Sequence, residues 1–145
     1  MTRSKRMQTI VRLAAHAERD AAQLLLASRR ELDEFEQKLE HLRACRGEYM
    51  DQLLQTSGES MQAQRMHELR GFIKRLDEVI GQLEGQRSQK QNVTDQRETA
   101  WMQNKNRARV LGDITDRYRN DEIKRAELRL QFEIDDRPRN PNPHK

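Results

Sequence analysis

Two side chains that could share a metal ion, His41 and Cys45, stand four residues apart, a spacing that puts both on one face of a helix. Two ligands fall short of the four that a structural zinc site needs, and the other histidines (His16, His67, His144) are scattered. A solvated histidine beside a cysteine flanking a helical seam accounts for the pair. The acids Asp33, Glu34, Glu36 and Glu40 could supply general acid or base chemistry, but in a charge-rich helix they read as a solvated face. Nothing matches a glycine-rich phosphate loop, a nucleophile elbow or a zinc signature. No catalytic, cofactor-binding or metal-binding residue is therefore assigned, and the chain is expected not to be an enzyme.

Charge and apolar patterning point instead to binding. Of 145 residues, 28 are basic and 24 acidic, a formal net charge of +4. The surplus is local. Arg3, Lys5, Arg6 and Arg12 lie in the first 12 residues with no acid among them, and Lys105, Arg107 and Arg109 form a second such cluster. These clusters are either ordinary solvated positions or a docking element for an acidic partner. Nucleic acid is disfavoured, because Asp113, Asp116, Asp121 and Glu122 soon follow and no aromatic stacking platform is present. Trp101 is expected to pack rather than to stack on bases.

The most informative apolar group is Phe72, Leu76, Val79 and Leu83. At 100° per residue these four lie within about 60° of one another on a helix. Leu69, Ile73 and Ile80 widen the surface to roughly 120°, more than one partner helix needs. Either the group broadens a core near a turn, or it is a partner-binding face built on the second helix. A smaller surplus occurs at Leu24, Leu25 and Leu26, one of which must point away from any seam; Leu26 is expected to be that one.

The elements that would position these groups follow from proline. It is absent from the first 137 residues and occurs three times in the last eight, as Pro138, Pro141 and Pro143. An interior proline costs a helix about 3 kcal/mol or more, so the proline-free stretch permits long uninterrupted helices. Residues 1–137 read as a single coiled-coil hairpin: helix one over about 5–55, a turn at 56–60 (Thr56-Ser57-Gly58-Glu59-Ser60), and helix two over about 61–135. Residues 138–145 read as a flexible, proline-rich basic tail.

Heptads abcdefg support this. In helix one, positions a are Val11, Glu18, Leu25, Leu32, Leu39, Arg46 and Leu53; positions d are Ala14, Ala21, Ser28, Phe35, Leu42 and Tyr49. In helix two, a is Met66, Ile73, Ile80, Arg87, Thr94, Trp101 and Ala108; d is Leu69, Leu76, Leu83, Lys90, Arg97, Asn104 and Leu111. Beyond Leu111 the pattern drifts through Ile114, Tyr118, Leu128 and Phe132. Gly81, Gly85 and Gly112 each weaken the helix by about 1 kcal/mol relative to alanine, so bending or fraying is expected there. With 34% hydrophobic residues and a mean hydropathy of -1.14, the chain can fill a narrow seam but not a wide core. The short turn forces antiparallel packing. Leu53 should then face Ala63, the N-terminus should lie beside residues near 110, and about 25 helical residues should project past helix one. One cysteine excludes an intrachain disulfide. No apolar run approaches the roughly 18–20 residues of a membrane span, and Met7-Gln8-Thr9-Ile10-Val11-Arg12 is too short for a signal peptide. A soluble cytoplasmic protein is the simplest expectation.

Read in order, these segments resemble the FliJ family of the bacterial flagellar type III export apparatus. The resemblance rests on Leu13-Ala14, Asp20-Ala21-Ala22-Gln23-Leu24-Leu25, Tyr49-Met50-Asp51-Gln52-Leu53, Phe72-Ile73-Lys74-Arg75-Leu76-Asp77-Glu78-Val79-Ile80 and Trp101. It implies a fold similar to the gamma-subunit stalk of rotary ATPases: an all-α, antiparallel two-helix coiled coil. It implies association with the export ATPase FliI, promoting ring assembly, and with the cytoplasmic domain of the export gate protein FlhA. It further implies a role in recycling export chaperones, and a location peripheral to the inner membrane through the apparatus. The family's gate-binding patch corresponds here to Phe72, Leu76, Val79 and Leu83; this chain has leucine at 83, where a histidine can occur. The open end, residues 3–12 and 105–135, would enter the ATPase ring, with Arg3, Lys5, Arg6, Arg12, Lys105, Arg107 and Arg109 as its basic contacts. The free protein is expected to be a monomer. The alternatives are the equivalent stalk of a virulence type III secretion injectisome, a generic dimeric coiled-coil scaffold and, third, a nucleic-acid-binding protein.

Overall fold

In the computed structural model, which describes residues 2–56 and 63–136, the chain is two long helices packed against each other, with no strand among the described residues. Helix α1 spans Arg3–Thr56 and helix α2 spans Ala63–Asp135, so the chain is an antiparallel two-helix coiled coil. The expected turn residues 57–60 and the tail 138–145 lie outside the described residues; Thr56, expected in the turn, closes α1. α1 starts earlier than expected because Thr2 caps it. The Thr2 side chain accepts from the Lys5 N–H (3.3 Å) and the Thr2 carbonyl accepts from the Arg6 N–H (3.2 Å), satisfying donors that a bare helix start leaves open. At the other end the Thr56 hydroxyl donates back to the Gln52 carbonyl at 2.5 Å.

The helices contribute to two compact units: Ala21–Trp101, and Met1–Asp20 with Met102–Lys145. In the first, the seam is aliphatic. Leu25, Leu32 and Leu39 of α1 and Leu69, Ile73 and Ile80 of α2 are buried, Leu39 to 1% exposure. Each such side chain contributes about 1.5–3 kcal/mol by leaving water. Every assigned a and d position in this unit is buried or half-buried except Arg87. Antiparallel register is visible in the ion pairs that cross the seam. As the α1 partner advances through Arg29, Glu36, Arg43 and Arg46, the α2 partner retreats through Glu98, Arg87, Glu84 and Asp77. Lys90 joins Glu31 at 2.5 Å. Arg46 and Arg87, which interrupt the apolar repeat, thus reach sideways to Asp77 and Glu36 on the facing helix. The polar stretch of α2 stays packed through Thr94, which is 4% exposed and donates its hydroxyl to the Lys90 carbonyl at 2.9 Å. That bond within the helix removes the cost of burying the hydroxyl.

In the second unit the seam is thin and partly polar. Among its described residues Ala14, Ser4 and Thr115 are buried, with Val11, Leu111 and Tyr118 half-buried. The heptad of α2 does not drift after Leu111: Thr115 and Glu122 continue the a positions and Tyr118 the d position, all buried or half-buried. Polar side chains hold the register there because they are bonded. Thr115 donates to the Leu111 carbonyl at 2.7 Å, and Ser4 meets Glu122. That contact corrects the expected pairing. The N-terminus lies beside residue 122, not near 110, so the stretch of α2 that projects past α1 is shorter than the expected 25 or so residues. α2 remains helical through Gly81, Gly85 and Gly112.

Candidate functional site

The apolar group on α2 divides by heptad position. Leu76 and Leu83, at d, are half-buried in the seam. Phe72 and Val79, at g, face outward with 40% and 44% exposure. The surface is therefore neither pure core nor a free-standing stripe: the seam leucines anchor a face whose outer members are open to contact. Phe72 also has neighbours around its ring. Its ring lies 4.7 Å from that of Tyr49 on α1, tilted by 57°, and the Arg75 guanidinium sits 5.6 Å from its centroid. Tilted aromatic pairs of this kind are worth about 0.5–1.5 kcal/mol beyond the area they bury. Leu83 also lines a cleft of about 610 Å³ with Phe35, Leu42 and the side chains of Glu34, Lys38 and His41. The face thus includes residues of α1, Tyr49 above all, that the sequence reading assigned only to the seam. Their signal was available: Phe35, Leu42 and Tyr49 are d positions, and antiparallel pairing lays d residues along the same side as Leu76 and Leu83.

The basic residues belong to the other compact unit. Arg3, Lys5, Arg6, Arg12, Lys105, Arg107 and Arg109 are all exposed. The structure does not gather the two clusters into one. Arg3 and Arg6 line a cleft of about 480 Å³ with Tyr118, Asp121, Glu122, Arg125 and Arg129, whereas residues 105–109 lie further back along α2. Arg3 places its guanidinium 5.6 Å from the Tyr118 ring centroid. Four guanidinium groups face only two carboxylates in this cleft, and one of those, Glu122, is engaged by Ser4 through its N–H (3.1 Å) and hydroxyl (2.6 Å). Those bonds hold the Glu122 carboxyl below its ordinary range. Arg125 and Arg129 fall inside the expected open end, residues 105–135, but not among its expected basic contacts, which stopped at Arg109.

Elsewhere the electrostatics are those of a solvated coiled-coil surface. The Lys90 hydrogen bond lowers the Glu31 carboxyl, and the Asp77 hydrogen bond raises the Arg46 guanidinium. Exposed pairs such as Arg29–Glu98 and Arg43–Glu84 contribute at most about 1 kcal/mol each; they fix register more than stability. Cys45 Sγ lies 4.0 Å from His41 Nε2, and among the described residues no group of three or more His, Cys, Asp or Glu could hold a metal ion. Of the three leucines at 24–26, Leu25 is buried, and Leu24 points outward as well as Leu26, at 53% and 50% exposure. Trp101 is half-buried at its a position. No described helix is long and apolar enough to cross a membrane.

No curated protein and no solved structure matches the chain. The family model described as Flagellar FliJ protein matches residues 3–137, which takes in both helices and both candidate contact regions. The chain belongs to the flagellar FliJ protein family.

Proposed function

We propose that, as a component of the flagellar export apparatus, this chain is a non-enzymatic stalk that joins two partners through different chemistry. One partner is the export gate's cytoplasmic domain (FlhA), bound by the face of Phe72, Leu76, Val79 and Leu83. The other is the export ATPase (FliI), bound by the basic unit that carries Arg3, Lys5, Arg6, Arg12, Lys105, Arg107 and Arg109 and promoted in ring assembly or activity. The observation that carries the reading is the outward exposure of Phe72 and Val79. What sets them apart from scattered exposed apolar residues is that they adjoin the seam leucines Leu76 and Leu83 as one continuous face, which an apolar partner could cover. The arginine-rich cleft at Arg3 and Arg6 supports an acidic partner surface on the other unit, steered by charge. Recycling of export chaperones belongs to the same proposal, as does a location in the cytoplasm against the inner membrane apparatus. The free chain acts as a monomer. The flagellar family assignment favours this reading over an injectisome stalk.

The test is a pull-down of wild type and Phe72→Ala/Val79→Ala by the gate's cytoplasmic domain and, separately, by the export ATPase. The double variant is expected to lose the gate and keep the ATPase. Undiminished gate binding would remove the patch from the proposal. Light scattering that returned a dimer for the free chain would favour a coiled-coil scaffold instead.

A further inference from the structure

Cations that interrupt the heptad elsewhere find a carboxylate on the facing helix. Arg46, Lys90 and Arg87, all at a or d positions, meet Asp77, Glu31 and Glu36. The end of the seam breaks this rule. The stripe of Tyr118 and Glu122 continues on α2 with Arg125 at d and Arg129 at a. The facing helix has no acid in its first 12 residues, and it brings Arg3 and Arg6 into the same cleft of about 480 Å³. Among the described residues, none of these four guanidinium groups is in an ion pair. Of the two carboxylates that line the cleft, Glu122 gives both oxygens to Ser4, which leaves Asp121.

We propose that this cleft is a phosphate-binding site, in which Arg3, Arg6, Arg125 and Arg129 hold one phosphate group of a soluble compound. Four arginines against Asp121 and Glu122 leave the lining with two positive charges in excess. A phosphate monoester carries about -1.5 to -2 at pH 7 and matches that excess. Like charges four residues apart on a helix, as at 125 and 129, repel, and a bound anion offsets the repulsion. All four cations are arginines, whose planar forks pair with phosphate oxygens two at a time. Brought in by two helices, they suit the tetrahedral oxygens of a phosphate better than the planar pair of one carboxylate. The cleft falls within the range of about 300–1,000 Å³ usual for small-molecule sites. Its apolar lining is limited to the Tyr118 ring and Ala126, so an acyl chain finds no place there and a lipid headgroup is the weaker source of the phosphate. The N-terminus of α1 is not what attracts the anion, because its first N–H groups already donate to Thr2 and Glu122. The site belongs to the free chain and stands whether or not the export ATPase docks on this unit; an acidic partner surface would compete for it.

The test titrates inorganic phosphate into the full chain by calorimetry, at pH 7 in a phosphate-free buffer of low salt. One phosphate per chain is expected to bind. Arg6→Lys/Arg125→Lys keeps the net charge but replaces two forks by point charges. It is expected to weaken binding roughly tenfold, about 1.4 kcal/mol, with an unchanged circular dichroism spectrum. Arg65→Lys/Arg70→Lys, made at exposed arginines outside the cleft, is expected to bind like wild type. No binding by wild type overturns the site. So do equal affinities in all three proteins, which would reduce the binding to net charge. Two further probes separate the other occupants. If vesicles of phosphatidylglycerol capture the chain through the same arginines while inorganic phosphate does not bind, the phosphate is a lipid headgroup and the soluble ligand is overturned. If a short polyglutamate peptide binds through them more tightly than phosphate, the cleft belongs to an acidic protein and the phosphate site is overturned.

Discussion

Ser4 and Glu122, 118 positions apart, close the first turn of α1 from the opposite helix: the Ser4 N–H and hydroxyl both donate to the Glu122 carboxylate, at 3.1 and 2.6 Å. Ser4 is 6% exposed, so the pair is also the end of the seam. Thr2, the residue before α1, caps the same turn. Where aliphatic side chains run out, capping chemistry takes over the task of fixing register.

The bond makes stability sensitive to acid. The Glu122 carboxyl is held below its ordinary value of 4.5, first by the Ser4 hydroxyl and then by the Ser4 N–H. A folded-state value below the unfolded one means a contribution fully present above pH 4.5 and lost as pH falls through the lowered value. Ser4→Ala is expected to melt below wild type at pH 7, with the gap closing as pH drops below 4.5. Thermal melts followed by circular dichroism from pH 7 to 3 check this; a gap that stayed constant would rule out the carboxylate as its source.

The two kinds of position in the Phe72 face should separate stability from binding. Leu39→Ala, deep in the seam, is expected to cost about 2–5 kcal/mol. Phe72→Ala gives up the Tyr49 ring contact, worth about 0.5–1.5 kcal/mol, and Val79→Ala less. If the exposed pair serves a partner, Phe72→Ala/Val79→Ala weakens gate binding far more than it lowers the melting temperature. Titration calorimetry beside urea unfolding measures both. Equal losses in the two would return Phe72 and Val79 to the core.

The heptads carried much of the fold. Apolar residues at a and d over 25–53 and 66–83 determine which side of each helix is buried, and Arg46 and Arg87 were visible as breaks in that pattern. What the pattern hid was polar burial. Ser4 and Thr115 look like solvent-facing residues until their hydroxyls are assigned to Glu122 and Leu111. Without them the apolar seam fades after Leu111. The register itself is misplaced by the expected turn: it sets Leu53 against Ala63, whereas Arg46 meets Asp77 and Ser4 meets Glu122, so the pairing is shifted toward higher numbers on α2. That error hid the cleft of Arg3, Arg6, Arg125 and Arg129. The face of Phe72 was legible on α2, but its α1 neighbour Tyr49 needed the register.

Gly81 and Gly85 offer a test of how far the helix is stabilised by propensity. Both are exposed and helical, and a Cβ added at either would meet nothing within 4 Å. Alanine at each is expected to stabilise by about 1 kcal/mol, through higher helix propensity and a less flexible unfolded chain. Urea denaturation of the single and double variants should show nearly additive gains. A loss at either site would mean that the glycine serves bending there.

In the order of residues along α2, Gln86 follows Leu83 and precedes Lys105, and it is exposed. Proline at 86 removes the N–H bond to residue 82 and drives its ring against that carbonyl, costing about 3 kcal/mol or more and kinking the helix. The side chains proposed to meet the gate and the ATPase are untouched by this change. If the chain only tethers two partners, a kinked variant that still binds both should support export. If it transmits force or position, the kink interrupts α2 between them, and export is expected to fall several-fold with both affinities within about twofold of wild type. Motility and secretion assays, run beside binding measurements on the same variant and with the kink established by spin-label distances, decide between tether and stalk. Normal motility in a demonstrably kinked chain would leave the tether.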